Sequence, residues 1–398
     1  MLFEFIIALL LGILIGTISG LTPGVHINLV SVILVSMSPA LLLYTSPIVL
    51  AVFIISMSIT HTFLDAVPSI YLGAPDDAQA MGALPGHRLL LKGKGYAAVY
   101  LTVFGSLGGL ILAILFIPIL FKAFLVLYPI IREYIGYFLL LIVIVMIFKD
   151  KFTFWALFLF LLSGSLGLIV FSMPNLKEPL FPMLSGIFGV STLLLSLLEK
   201  VKIPKQEIKK PKIQKELALK AVSSSTFAGT LISFLPGLGP AQGAVVAQGI
   251  TRNLGDEGFL ILVGGINTVG MMISLVTLYV LEKARNGSVI AISKLMEINL
   301  AQFFVLVFAS LIVGVLCFYL SLFIAKRFSS LITKVNYQAI IVIIILFVSS
   351  LTLFLSGWIG LFILIISTSI GLIAPLKGVQ RSHAMGCLIL PVILYFLI

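Results

Sequence analysis

Two side chains able to carry charge, His61 and Asp65, stand four residues apart inside the apolar run 47–71. That spacing puts both on one face of a helix. Charge in a membrane segment is costly and marks an ion pathway, a proton relay or a paired partner. With the hydroxyl of Thr60 beside them, these residues form a candidate coupling-ion site. A structural His–Asp hydrogen bond is the competing reading, as is an Asp65 that reaches the membrane interface just ahead of Pro68. The neutral pair Asn267 and Thr268, in Gly264-Gly265-Ile266-Asn267-Thr268, occupies a similar place later in the chain.

A second chemistry belongs to two helix-breaking pairs, Pro23-Gly24 and Pro236-Gly237, each set in apolar sequence. Proline removes a backbone N–H and clashes with the preceding turn. Unwound backbone survives at membrane depth only where protein or a wet cavity satisfies it. A helix that starts after such a break offers free N–H groups and a positive dipole end to an anion. Around the first break His26 and Asn28 supply polar groups; at the second, Gly239 and Pro240 strengthen the break and Gln242 supplies a polar group. The candidate anion site is therefore Pro23, Gly24, His26, Asn28, Pro236, Gly237, Gly239, Gln242 and Asn267. A proline kink that only shapes packing is the plainer alternative.

The elements that must position these residues follow from composition. Of 398 residues, 61% are hydrophobic and 10% charged, against about a quarter charged in a soluble domain. Apolar stretches repeatedly exceed the ~17 residues needed to cross a bilayer as helix. The short alternating segments of a membrane barrel are absent. The expectation is an all-α integral membrane protein, a polytopic bundle of about ten to twelve transmembrane helices. The first apolar stretch has no basic residue ahead of it and no small-residue cleavage site, so it reads as a retained membrane helix.

Net charge is +11. Eight of the 25 basic residues fall between Lys200 and Lys220, which suits a cytoplasmic loop under the positive-inside rule and not a nucleic-acid site. The two cysteines, Cys317 and Cys387, lie in apolar runs and read as packing. Residues 73–95, with Asp76, Asp77, His87 and Arg88, read as a solvated surface loop. The stretch 199–216 is polar, holds Pro204 and Pro211, and reads as an exposed linker. It separates a first transmembrane repeat, 1–198, from a second, 217–398. The motifs GTISGLTPG at 16–24 and GTLISFLPG at 229–237 match, and SLGLI at 165–169 answers SIGLI at 369–373 in the same order. Duplicated halves with the substrate between them are a common plan of secondary transporters. The charge pattern leans towards inverted repeats.

The most specific stretches are GTISGLTPG, HTFLDAVPSIYLGAPDDAQAMGALPGHRLLLKGKG at 61–95, GTLISFLPGLGPAQGA at 229–244 and GVQRSHAMGCLILPVIL at 378–394. Through them most of the chain resembles the TctA family, the large membrane permease subunit of tripartite tricarboxylate transporters. Its length resembles the compact, archaeal-type branch. The resemblance implies a multi-pass permease of the cell membrane with two related halves and cation-coupled carboxylate uptake. A small membrane subunit and an extracytoplasmic binding protein are the implied partners. The family's two Pro-Gly motifs fall on Pro23-Gly24 and Pro236-Gly237.

Neither H-E-x-x-H, G-x-S-x-G nor a Walker A sequence occurs, so zinc hydrolysis and ATP-driven pumping are not signalled. The expected function is a secondary transporter permease for a small carboxylate-type anion. No cofactor or resident metal is implied beyond Na⁺ or H⁺ coupling. Translocation of a lipid-linked phosphate and a membrane-embedded enzyme using His61 and Asp65 stand as alternatives.

Overall fold

A computed structural model describes residues 2–22, 27–73, 79, 81, 83–174, 176, 178–198, 203–234, 239–251, 254–284, 286–333 and 336–397. The described residues form helices and no strands. In hydrocarbon, only intrasegment hydrogen bonding satisfies a single spanning backbone, so apolar composition of this degree dictates helix.

The first half contains α1 (Leu2–Leu21), α2 (Ile27–Leu41), α3 (Pro47–Leu64), α4 (Ala66–Tyr71), α5 (Ala83–Leu91), α6 (Gly95–Phe148), α7 (Thr153–Ser172), α8 (Leu180–Leu184) and α9 (Ser191–Leu198). A π-helical turn, Ser185–Val190, joins α8 to α9. The second half contains α10 (Lys215–Phe234), α11 (Pro240–Ile250), α12 (Gly255–Leu281), α13 (Gly287–Leu295), α14 (Leu300–Ile332), α15 (Tyr337–Lys377) and α16 (Gly386–Leu397). A 3₁₀ turn, Arg381–Met385, precedes α16. Among the described residues, eight helical segments are long and apolar enough to cross a membrane, with shorter apolar helices at Gly136–Phe148 and Arg381–Leu397.

α6 is one helix through 95–148. α15 is instead two helical stretches that meet at Gly357, whose φ of 66° only glycine adopts easily.

The bundle is organised around α3 and α12. The apolar window of α12 is 94% buried and that of the α3–α4 span 78%, against 22% for α1 and α15. The peripheral helices turn Leu10, Leu14 and Ile18 of α1, or Phe354, Trp358 and Phe362 of α15, outward, as a lipid-facing surface does. α1 packs on α3 and α10 on α12, while α6 packs on α12 and α14 on α3. Helices in lipid gain little from apolar burial against one another, so close approach of backbones matters more. A Cβ on Gly105 of α6 would stand 1.9 Å from Ile261 O, and one on Gly264 of α12 would stand 2.1 Å from Thr102 O. Gly167 of α7 lies against Cys387 O of the α16 segment, and Gly371 of α15 against Ile187 O of the π-helical turn.

Between α4 and α6 the described residues 83–91 depart from a solvated loop, while Asp76 and Asp77 lie outside the described residues. Residues 83–91 are helical, and His87 is 3% exposed. The linker is mostly exposed apart from Gln206, which is buried. Its amide donates to Leu90 O (3.0 Å) and Pro204 O (2.8 Å) and accepts from Gly95 N (2.9 Å). Glu207 N bonds Gly93 O at 2.8 Å. One polar side chain therefore staples the linker to the α5–α6 turn, by satisfying backbone groups that water would otherwise have to reach.

Candidate functional site between α3 and α12

Asp65 sits at the discontinuity between α3 and α4, within one 25-residue span. Pro68 explains the discontinuity: it has no N–H to give the Leu64 carbonyl. Asp65 N still closes on His61 O at 3.0 Å, and Ser69 N reaches Asp65 O at 3.4 Å.

The Asp65 carboxylate is 2% exposed. Its Oδ2 accepts from Asn267 Nδ2 of α12 at 2.7 Å, and its Oδ1 accepts from Gln79 Nε2 at 3.0 Å. Asn267 and Gln79 are themselves buried. A buried carboxylate persists only where hydrogen bonds replace its hydration, and bonds to a charged acceptor are the strong kind. One helical turn earlier, the hydroxyls of Thr62 and Thr268 meet at 3.1 Å. Asp65 and Asn267 are 202 residues apart in the chain, so the site is made where the two halves touch.

The neighbouring side chains face other helices. His61 Nδ1 lies 3.1 Å from Ser19 Oγ of α1. Thr60 Oγ1 donates to Ser56 O at 2.7 Å and receives the Cys317 thiol of α14 at 3.2 Å. Thr60, His61 and Asp65 thus fan out from one stretch of α3–α4 towards three different helices. Ser19 and Gln79 belong to motifs quoted from the sequence yet carried no signal of their own; only the fold brings them to His61 and Asp65.

Of the anion-site residues, Pro23, Gly24, His26, Pro236 and Gly237 lie outside the described residues, as does the side chain of Asn28. α1 ends at Leu21 and α2 begins at Ile27; α10 ends at Phe234 and α11 begins at Pro240. Gln242 is buried in the first turn of α11, where its Oε1 accepts from Gly239 N at 2.9 Å. This is one half of a capping box; Gly239 has no side chain to supply the other. Asn267 bonds Asp65.

A second buried polar cluster joins the α6–α7 turn to the 3₁₀ turn before α16. Asp150 accepts from Phe152 N (3.0 Å), Gln380 N (3.1 Å) and His383 Nε2 (2.8 Å). Burial pushes the Asp150 carboxyl up, but these donors outweigh it and hold the group below the usual carboxylate range. Among the described residues, no three His, Cys, Asp or Glu side chains come together as metal ligands.

The arrangement thus combines membrane-spanning helices, a buried carboxylate at a helix discontinuity and two helix starts behind Pro-Gly pairs. Comparison with known proteins agrees with that description. The family model described as "Tripartite tricarboxylate transporter TctA family" matches residues 6–386. An uncharacterised protein of Methanocaldococcus jannaschii is 32% identical over 404 aligned positions, covering 98% of each chain. No solved structure matches. A match over nearly the whole length, in a chain with eight described helical segments long and apolar enough to cross a membrane, makes this protein a member of the TctA family of tripartite tricarboxylate transporters.

Proposed function

We propose that this chain is a secondary-transporter permease that moves a small carboxylate across the cell membrane and couples the movement to Na⁺ or H⁺ at Asp65. The observation that carries this reading is the buried Asp65 carboxylate, held at a helix discontinuity by amides that include Asn267 of the opposite half. A cation or proton arriving at Asp65 competes with Asn267 for Oδ2, and so loosens or resets the α3–α12 contact. That links ion occupancy to the relative position of the two halves, which alternating access requires. The carboxylate is received at the starts of α2 and α11, where free N–H groups and the helix dipole favour an anion.

The two halves act as repeats flanking the linker. The paired crossings support this: Gly16 of α1 lies on Met57 O and Thr60 of α3, and Gly229 of α10 on Ile266 O and Val269 of α12. Family membership supports a small membrane subunit and an extracytoplasmic binding protein as partners.

The test is uptake of labelled di- and tricarboxylates into proteoliposomes under a Na⁺ or proton gradient, for the wild-type protein and Asp65→Asn. Gradient-driven accumulation should vanish in the variant while substrate binding, read by thermal shift, persists. Accumulation that survives Asp65→Asn with unchanged ion dependence removes Asp65 from coupling.

A further inference from the structure

We infer that Arg381 forms an oxyanion-binding site, distinct from the Asp65 site, between the 3₁₀ turn before α16 and the π-helical turn before α9. The guanidinium enters the protein sideways. Its Nη1 donates to Thr192 Oγ1 and also approaches Phe188 O and Ser191 Oγ, each at 3.5 Å. Nε and Nη2 are equally withdrawn from the surface, yet neither meets an acceptor among the described residues. These two atoms share one edge of the guanidinium and present parallel N–H donors. That edge is the one that grips a carboxylate or phosphate with two hydrogen bonds.

Burying an arginine with two donors unmatched is costly, and proteins rarely leave such donors orphaned without a use. The surrounding charges sharpen the point. Arg88 and His87 of α5 both lie close enough to feel the charge of Arg381. His87 Nε2 lies 3.4 Å from Ser196 Oγ, one turn beyond Thr192 on the same face of α9. Of these, His87 is neutral near pH 7 and Arg88 also pairs with Asp256 at 3.3 Å, so Arg381 and Arg88 supply the positive charge that an anion would meet. Asp150 makes its hydrogen bonds to Phe152, Gln380 and His383, and the last two lie before and after Arg381 in the chain. The acceptors span the π-helical turn (Phe188) and the start of α9 (Ser191 and Thr192), and a π-helical turn is a deviation found often at functional sites.

The ligand is an oxyanion able to accept two parallel hydrogen bonds. A soluble carboxylate and the phosphate of a lipid headgroup both have that chemistry. This rests on the permease reading only for the choice of carboxylates as probes.

The experiment is thermal unfolding of the purified protein in detergent at constant ionic strength, titrated with succinate, citrate, inorganic phosphate or phosphatidic acid in mixed micelles. Wild type should show a saturable upward shift with at least one probe. Arg381→Met should abolish that shift while unfolding without ligand at an equal or higher temperature, since it removes a poorly matched buried charge. A residue serving only structure would instead lower the unliganded midpoint and leave the shift in place. Arg381→Lys keeps the charge but not the paired donors, and should bind on the order of tenfold more weakly; it provides the reading if the Met variant does not fold. A shift with succinate or citrate identifies a soluble carboxylate; one confined to phosphatidic acid identifies a lipid headgroup. No saturable shift in wild type, or a full shift in the Arg381 variants, overturns the inference. Failure of carboxylate uptake in proteoliposomes, with the Arg381-dependent shift intact, overturns the transport reading and leaves this site standing.

Discussion

Asn267 Nδ2 donates to Asp65 Oδ2 at 2.7 Å across 202 residues of chain, tying α12 to the discontinuity at the end of α3. Both side chains are buried, so the bond is strong and expensive to leave half-made. Asn267→Leu should lower stability by about 2–3 kcal/mol, the cost of removing a donor from a buried charged acceptor. The exchanged pair Asp65→Asn with Asn267→Asp restores one carboxylate facing one amide and should recover part of that loss. Thermal unfolding in detergent of the two single variants and the double variant checks the coupling.

Close backbone crossings should separate tolerated from forbidden alanines. Gly105→Ala would put a methyl group 1.9 Å from Ile261 O, where backbone must move, whereas Gly249→Ala meets nothing nearer than Ile142 Cγ2 at 3.7 Å. Overpacking of this kind costs roughly 1–3 kcal/mol and at backbone contacts more. Gly105→Ala should lose its monodisperse size-exclusion peak, and Gly249→Ala should keep it.

His87 imposes a pH dependence. Burial above all, with the nearby Arg381 adding to it and a hydrogen bond to Ile70 opposing it, lowers its pKa from 6.5 to about 4. The unfolded chain therefore binds a proton between those values that the folded protein refuses. Stability is lost as pH falls through this window, by roughly 1.4 kcal/mol per pH unit. Unfolding midpoints should drop from pH 6.5 to 4 in the wild type and stay flatter in His87→Phe.

At lower pH Asp150 takes over. Its folded pKa lies below the ordinary carboxylate value, so the stability it contributes is present above that value and lost as pH falls through the folded one. Asp150→Asn should remove the acid limb of the profile that remains in His87→Phe.

Gln206 offers a test of the stapled linker. Gln206→Ala removes three hydrogen bonds at once, worth about 1 kcal/mol each. Trypsin should then cut at Lys205 and Lys209 faster than in the wild type, with little change in global unfolding.

Much of this protein is legible in its sequence because lipid leaves the backbone so few options. Long apolar runs must be helices, and Pro68 must weaken the ladder near Leu64, where α3 gives way to α4. The spacing of His61 and Asp65 marked a polar point inside a membrane helix. Partner identity was another matter, since it depends on which helices meet and at what depth. Local sequence could not tell that Asp65 answers to Asn267 and Gln79, His61 to Ser19 or Thr60 to Cys317. Nor could it tell that Gln206 is a buried staple, that His87 is enclosed, or that Arg381 buries a two-donor edge. Those facts come from helix packing within and between the halves, a long-range arrangement that no local pattern encodes.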